Sequence, residues 1–291
     1  MSLNLSEIDA MIRLLDDTDP EVYSHIEGQL IKYGKDVIPF LENAWGNAFN
    51  ATLQQRIEFI IHKIQFDGIK AELKKWVAEG GKDLLEGAIL IARYQYPDLD
   101  ETKIQSQVDK IRRDAWLELH DNLTALEKAR VLSHVIFEIH NFGGNTTNFH
   151  APQNSYINNV LESKKGNPLI LGLIYTVVAQ KLEVPIYGVN LPEHFVLAYM
   201  NEHFPEEGMI PPADTEVLFY INPFSKGTVF HRREIDTFLK QLKIPAEPAF
   251  YTACTNTDMV KRLVRNLIFA YQKQGFEEKT AELEILAKVF E

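Results

Sequence analysis

A helix start, a histidine and an asparagine follow one another along this sequence in an order that suits acyl-transfer chemistry. The helix is predicted to open at Gly166-Asn167-Pro168, His194 enters an apolar β-like run, and Asn222 ends another. At a helix N-terminus, the helix dipole and a nearby histidine can hold a nucleophile in its reactive form, while a third residue orients the imidazole. The residue type at the helix start therefore decides whether this chemistry operates.

The composition is that of an ordinary globular protein with an excess of acidic residues. The 291 residues are 45% hydrophobic and 24% charged, and 30 Lys+Arg against 41 Asp+Glu give a net charge of −11. This length predicts one large domain or two to three small ones. The negative charge repels phosphate backbones and anionic lipid, so neither a nucleic acid nor a membrane is expected as a partner.

Cysteine and histidine usage limits the kinds of site that the chain can build. Cys254 is the only cysteine, which excludes an intramolecular disulfide and a cysteine-based zinc site. No histidine pair has the helical spacing with an acid that a zinc protease needs, so no metal and no other cofactor is expected. The first ten residues lack a signal-peptide pattern and no apolar run is long enough to span a membrane, so we expect a cytoplasmic protein.

Hydrophobic periodicity divides the chain into three zones. Residues 1–77 carry apolar residues at helical spacing throughout, whereas residues 78–250 begin with helices and end with three short β-like runs. Residues 251–291 have the pattern of two helices joined at Gln274-Gly275. The predicted fold class is α+β, mainly α, with a small antiparallel sheet and a C-terminal helical hairpin.

The first zone resembles HEAT repeats, which stack antiparallel helix pairs. The resemblance rests on Leu14–Val22, Tyr33-Gly34 and Val37–Leu41; in the first of these, Asp19 can cap a helix that Pro20 opens. An unrelated module of four packed helices is the alternative, because helix pairs with Asp-Pro turns are common. The C-terminal hairpin is similar to half of a tetratricopeptide repeat (TPR), with a docked terminal hairpin as its alternative.

Six separated segments of the second zone match one family in order. They are Ile91–Asp100, Phe142–Asn145, Pro152–Leu161, Lys165–Leu169, Gly188–Phe195 and Asn222–Phe224. Residues 78–250 thereby resemble the transglutaminase-like superfamily, which shares the papain-like cysteine-protease fold. Within it they are similar to the branch of SirB-type bacterial proteins and a domain of some F-box proteins. Separated motifs in a fixed order are far more specific than any single short motif.

The resemblance implies a degenerate catalytic triad. It places the nucleophilic cysteine at Pro168, the histidine at His194 and, at Asn222, the residue that is aspartate in active members. Proline has no nucleophile, and asparagine orients a neutral imidazole without stabilising an imidazolium by charge. Pro168 also suits the first turn of a helix, so the helix start is expected to survive without its chemistry.

Two other side chains are weighed as nucleophiles. Cys254 lies outside the matching motifs, and a lone cysteine is more often a small buried hydrophobe. Ser155 lies within the motif region, yet we expect it to cap the helix that follows it, from Tyr156 to Leu161. His194 itself is either a ligand-contacting residue or a half-buried, hydrogen-bonded one.

The remaining candidates for the cleft are polar or helix-opening residues near the three triad positions. Asn145 and Asn154 either order an irregular loop through their amides or line the groove beside His194. The acidic residues of the insert at 201–215 are interpreted as a solvated loop, with a cationic partner segment as the alternative. The full set of cleft candidates is Asn145, Asn154, Ser155, Gly166, Asn167 and Pro192.

The function predicted from these observations is a non-catalytic, regulatory descendant of a cysteine-enzyme fold that binds an unidentified protein or peptide. The old cleft or the helical zone would supply the binding face. The alternative is a hydrolase or acyl-transferase with a displaced nucleophile, using His194 as base and Asn222 as orienter. Binding of a small molecule in the vestigial pocket is a third hypothesis.

Overall fold

The computed structural model describes residues 5–201 and 216–291. The acidic residues of the insert, Glu202, Glu206, Glu207 and Asp214, lie outside the described residues. The chain divides into two compact units, Met1–Glu72 and Leu73–Glu291.

The first unit is helical and has its own apolar core. Its second helix is capped as the sequence predicts: the Asp19 side chain accepts a hydrogen bond from the Glu21 N–H, and Pro20 is the first helical residue. Apolar side chains from all the helices meet in one cluster, which includes Leu15, Leu30 and Ile57. The helices are α1 (Leu5–Leu14), α2 (Pro20–Tyr33), α3 (Ile38–Asn47) and α4 (Ala51–Ala78), whose residues from Leu73 onward belong to the second unit.

The second unit contains the remaining helices and all the described strands. The helices are α5 (Leu84–Gln95), α6 (Glu101–Glu118), α7 (Ala125–Ser133), α8 (Ile157–Ser163), α9 (Pro168–Gln180), α10 (Arg232–Leu242), α11 (Asn256–Gln274) and α12 (Glu277–Ala287). A π-helical turn, His134–Ile139, follows α7 directly. Gly275 adopts φ 76°, which ends α11 and turns the chain into α12 to form the predicted C-terminal hairpin.

The main sheet has four antiparallel strands in sequence order. The three β-like runs of the sequence correspond to β3 (Ile186–Leu191), β4 (His194–Met200) and β5 (Val217–Asn222). The strand β6 (Thr228–Phe230) was not predicted, because its three residues are too few to show alternation. Two parallel segments of two residues each, β1 (Gly143–Gly144) and β2 (Lys165–Gly166), were not predicted either. The fold is α+β and mainly α, as predicted.

Helix α9 is the centre of the second unit. Its residues from Pro168 to Ala179 are all buried, which explains why this run is apolar around the whole helix rather than along one face. The helix packs against β3 and β4, and Gly172 lets the Phe195 ring approach so closely that a Cβ atom would lie 2.7 Å from it. This contact fixes the beginning of β4 beside the beginning of α9.

Within the described ranges, no helix has the length and apolar character needed to cross a membrane.

Candidate functional site

The start of α9 is held by one asparagine side chain that forms two hydrogen bonds. Asn167 is the N-cap: its Oδ1 accepts from the Ile170 N–H at 2.9 Å. Its Nδ2 donates to Ser155 Oγ at 2.7 Å, and both residues are buried. Pro168 follows as the first residue of the helix, where its missing N–H leaves no donor unsatisfied. The helix start predicted from the sequence is therefore present, with a proline at its first position.

The turn between β3 and β4 sets the position of His194. Leu191 pairs with His194 across the ladder, so only Pro192 and Glu193 form the turn. Glu193 has φ 56°, a left-handed conformation that costs a non-glycine residue about 1–2 kcal/mol. The tight turn fixes His194 as the first residue of β4 and leaves its ring half-buried, 6.1 Å from the ring of Phe238 on α10.

Sheet register brings Asn222 to His194. Leu197 on β4 is opposite Ile221 on β5, so the next position, Asn222, lies on the same sheet face as His194. A hydrogen bond joins the Asn222 and His194 side chains. Asn222 Oδ1 also accepts from the N–H groups of Phe224, at 3.0 Å, and Ser225, at 3.2 Å. This asparagine orients the imidazole and caps the 3₁₀ turn that follows β5.

The imidazole of His194 favours its neutral form. Burial lowers the pKa of His194 and the Arg262 guanidinium lowers it further, whereas the hydrogen bond with Asn222 raises it. The ring is therefore neutral near pH 7, since an unperturbed histidine titrates at about 6.5.

Arg262 on α11 joins the C-terminal hairpin to the strand that begins with His194. Its Nη2 donates to the His194 carbonyl oxygen at 2.7 Å, and its Nη1 donates to Asn190 Oδ1 at 3.2 Å. The guanidinium also lies over the Phe195 ring, 5.8 Å from its centroid. These three contacts hold the cation at the His194 edge of the sheet.

A cavity of about 470 Å³ opens between these elements, and we call it the His194 cavity. This volume falls within the range of about 300–1,000 Å³ that is usual for ligand sites. The start of α9, the β3–β4 turn, the loop before α8 and one face of α11 surround it. The lining residues are Phe149, His150, Ala151, Ser155, Asn167, Pro168, Leu169, Glu193, His194, Phe195, Arg262, Asn266, Phe269 and Ala270.

The rim of the His194 cavity is aromatic and basic. His150 Nε2 lies 3.2 Å from Lys273 Nζ, and the His150 ring packs against Phe149 and Phe269 with centroids 5.2 Å and 5.6 Å away. Phe149 and Phe269 remain 43% and 49% exposed, so the rim presents apolar surface to an incoming ligand.

The prediction that Ser155 caps the following helix is wrong. The N-cap of α8 is Tyr156, and no side chain caps this helix. Ser155 instead ends the 3₁₀ turn Pro152–Ser155, where its buried hydroxyl accepts the hydrogen bond from Asn167 and lines the His194 cavity. The sequence could not show this role because it depends on a partner that lies twelve residues later.

The cysteine lies outside the lining of the His194 cavity. Burial raises the pKa of the Cys254 thiol to about 12, and the Asp258 carboxylate raises it too, against a lowering by Arg262. Cys254 is therefore a thiol rather than a thiolate near neutral pH. Among the residues that the structure describes, neither Cys254 nor Ser155 forms a hydrogen bond with His194.

The other cleft candidates lie beside the cavity without lining it. Asn145 Nδ2 donates to Asn154 Oδ1 at 2.9 Å, and Asn154 Nδ2 donates to the carbonyl oxygens of Asn148 and Phe149. The two asparagines thus order the loop that carries the rim residue Phe149. Gly166 packs against Val160 and Ile170, and Pro192 sits in the turn before His194.

Sequence reasoning did not identify Arg262, Asn266 and Phe269 as cavity residues. Their spacing, i, i+4 and i+7, would have shown that they share one face of a helix. What no local pattern shows is that this face meets the start of β4, because that contact joins segments about seventy residues apart. No group of three or more metal-ligating side chains occurs in residues 5–201 and 216–291.

Comparison with known proteins identifies one family. The profile of the transglutaminase-like superfamily matches residues 102–265, more than half of the chain, and this range contains Pro168, His194, Asn222 and Arg262. No solved structure matches the chain.

Several curated proteins are similar to parts of the chain. A UPF0162 protein of Xylella fastidiosa (strain Temecula1) is 33% identical over 156 residues, which cover 52% of this chain and 50% of that protein. F-box only protein 21 of Mus musculus is 27% identical over 216 residues, which cover 67% of this chain and 33% of that protein. A UPF0162 protein of Pseudomonas aeruginosa is 25% identical over 210 residues, which cover 72% of this chain and 71% of that protein. The chain spans about half the length of the relatives that it matches at 33% identity.

Proposed function

This chain belongs to the transglutaminase-like superfamily, and on that basis we propose that it is a non-catalytic member that binds a peptide segment of another protein in the His194 cavity. The fold of this superfamily places a nucleophile and a histidine on facing walls of one cleft. In this chain those walls enclose a ligand-sized cavity whose rim is aromatic.

Pro168 is the observation that carries the proposal. It occupies the first position of α9 and lines the same cavity as His194. The sequence resemblance assigns this position to the cysteine of the superfamily. A proline side chain can neither attack a carbonyl carbon nor exchange a proton with an imidazole. The histidine therefore has no acid–base partner at the helix start.

The surroundings of His194 support the same proposal. The neutral imidazole is hydrogen-bonded to an asparagine, whose Oδ1 also caps the next turn, so the pair lacks the charge that stabilises an imidazolium. Such a ring is suited to donate or accept one hydrogen bond with a bound chain.

Peptide capture by the full chain tests the proposal. A displayed library of random ten-residue peptides would be selected against the protein, and the enriched peptides titrated by fluorescence anisotropy. Asn266→Trp fills the cavity from α11, while Arg265→Trp adds the same bulk at an exposed position of the same helix. We expect enriched peptides that remain intact by mass spectrometry and bind at least about tenfold more weakly to Asn266→Trp than to Arg265→Trp. Selection of no peptide, or equal binding to both variants, would overturn the proposal.

A serine hydrolase is the second candidate, because the buried Ser155 hydroxyl lines the same cavity as His194. This candidate predicts that a fluorophosphonate probe labels the protein and that Ser155→Ala abolishes the labelling. Because the hydroxyl is hydrogen-bonded to Asn167 and not to His194, we expect no labelling of either protein. Labelling that disappears in both Ser155→Ala and His194→Ala would establish the hydrolase.

The finer assignments made from the sequence remain proposals. They are membership of the SirB-type branch, HEAT-like character for α1–α4, TPR-like character for α11–α12, and a cytoplasmic location. The Asp19-Pro20 cap and the antiparallel α11–α12 hairpin support the two repeat assignments. Helical-repeat surfaces commonly act as docking faces, so α1–α4 would add a second contact surface for the same partner.

A further inference from the structure

A cation without an acidic partner lines the His194 cavity. The Arg262 guanidinium has five N–H groups, and its two hydrogen bonds go to neutral acceptors, the Asn190 side chain and the His194 carbonyl oxygen. Among the described residues, no carboxylate lies within ion-pair distance of this side chain. Glu193 also lines the cavity, but it is exposed and forms no ion pair with the guanidinium.

Such a charge is unfavourable in the free protein. Burial lowers the pKa of Arg262, the neighbouring Cys254 raises it, and Arg265 lowers it; no carboxylate is among the groups that act on it. Removing a charge from water without pairing it costs free energy, which a bound anion recovers. The chain as a whole is acidic, yet none of its described carboxylates forms an ion pair with this arginine.

Other groups at the His194 cavity favour an anion at the same place. The Leu169 N–H belongs to the first turn of α9 and has no acceptor among the residues described. It carries the positive end of a thirteen-residue helix toward the cavity. Lys273 and His150 add a second basic group at the rim. Arg262 and Lys273 thus outweigh the Glu193 carboxylate at this cavity, in a protein whose net charge is −11.

We propose that the His194 cavity binds its peptide through a carboxylate that pairs with Arg262 and the N–H of Leu169, while an apolar side chain of the peptide packs against Phe149 and Phe269. This inference rests on the proposed function and names the chemistry of its ligand. The carboxylate belongs to an acidic side chain or to the C-terminus of the peptide, and the probes below separate these two sources.

Small carboxylate probes test the site without knowledge of any partner sequence. The full chain, labelled with ¹⁵N, would be titrated with N-acetylglutamate α-amide, which has a side-chain carboxylate, and with N-acetylalanine, which has a terminal one. N-acetylglutamine amide is the neutral control. The readout is the Nε–H signal of Arg262, assigned by its loss in Arg262→Lys. We expect a saturable shift with one or both carboxylates and none with the neutral probe.

Variants separate recognition from structural support. Arg262→Gln is expected to abolish carboxylate binding, whereas Arg265→Gln, on an exposed position one turn away, leaves it unchanged. For acidic peptides enriched from the library, Arg262→Gln weakens binding about tenfold or more, and Arg262→Lys, which keeps the charge without the planar fork, weakens it less. An equal response to the neutral probe, or carboxylate binding that survives Arg262→Gln, would overturn the inference.

The two proposals fail in different ways. Peptides that bind in the cavity equally well with and without a carboxylate would overturn this inference and leave the proposed function intact. If the library yields no peptide while the small carboxylates still shift Arg262, the peptide-binding function is wrong and the carboxylate site stands.

Discussion

The two walls of the His194 cavity differ in how completely their polar side chains are paired within the protein. On the α9 wall, Asn167 and Ser155 are buried and hydrogen-bonded to each other, and the helix start is closed by Pro168. On the β4–α11 wall, His194 is neutral and hydrogen-bonded to an amide, while Arg262 carries a charge that no described acid balances.

The difference indicates that the side chains of the α9 wall support the structure, whereas those of the β4–α11 wall can bind a ligand. The α9 wall pairs the side chains of Asn167 and Ser155 with each other, and the group that it offers to a ligand is the backbone N–H of Leu169. The opposite wall keeps unsatisfied hydrogen-bonding capacity, which is typical of a ligand site. The cavity therefore has the features of a ligand site on its β4–α11 side.

Placing a thiol at the start of α9 is expected to change the difference between the two walls most. In a Cys254→Ala background, Pro168→Cys places the only thiol at a helix N-terminus and in the same cavity as His194. Helix N-terminal thiols commonly have pKa values of about 3.5–7.5, so we expect alkylation at pH 7 about two to three orders of magnitude faster than that of Cys254 in the natural chain.

The control for this substitution is Ser106→Cys in the same background, which adds an exposed thiol in the middle of α6. Rates would be measured with iodoacetamide from pH 5 to 9. An apparent pKa for Pro168→Cys that is no lower than that of the exposed thiol would show that the start of α9 does not face the histidine.

Removing the side chain of Asn167, the N-cap of α9, tests how much stability the α9 wall supplies. Asn167→Ala deletes an N-cap and leaves the buried Ser155 hydroxyl without its donor, so we expect a loss of about 2–4 kcal/mol in the free energy of unfolding. Asn167→Asp keeps the acceptor for the Ile170 N–H and should lose about half as much. Urea denaturation measures both values, and a loss below about 1 kcal/mol for Asn167→Ala would contradict the structural role.

The pH dependence of stability tests His194 on the β4–α11 wall. Because burial and Arg262 lower the pKa of His194, the unfolded chain binds a proton more readily than the folded protein. Stability is therefore independent of this group above about pH 6.5 and falls as the pH drops below that value. Thermal unfolding between pH 5 and 8 should show a shallower acid decline for His194→Gln than for the natural protein.

His140 contributes to the same decline, because burial lowers its pKa despite the hydrogen bond to Asp114. His134→Gln, at an exposed position, serves as the control for removing a histidine. An unchanged acid decline in His194→Gln would show that this ring titrates alike in the folded and unfolded chains.

The smallest expected effect concerns Cys254. Its pKa of about 12 predicts slow alkylation that rises steadily from pH 5 to 9 without a plateau. His194→Ala should change these rates by less than about twofold, since no hydrogen bond joins the two residues. A low apparent pKa that depends on His194 would instead indicate a rebuilt Cys-His pair and would revive the displaced-nucleophile hypothesis.

Local patterns predicted the elements, and separated motifs predicted which of them meet. The Asn-Pro helix start, the α11–α12 hairpin and three of the strands have short-range signals, namely caps, a glycine at a helix end and alternating apolar residues. That Pro168 and His194 face one cavity followed from the order of the family motifs, not from periodicity.

What the sequence could not supply was the identity of long-range polar partners. Ser155 sits before a helix, where a capping role is the local expectation, yet it pairs with Asn167. Arg262 is one of several charged residues on α11, and only the docking of this helix against β4 distinguishes it from the exposed Arg265. Such contacts depend on the packing of whole elements, which no short window of sequence contains.

The Asn154 amide makes the shape of the cavity rim dependent on one nitrogen atom. That nitrogen donates to two successive carbonyl oxygens, those of Asn148 and Phe149, and the residue is only 3% exposed. Deamidation to aspartate would replace both donated bonds by repulsion between a carboxylate and two carbonyl groups. Burial protects this amide in the folded protein, so deamidation would begin only in molecules in which the loop has first opened. The loss of binding on heating would then follow the rate of loop opening.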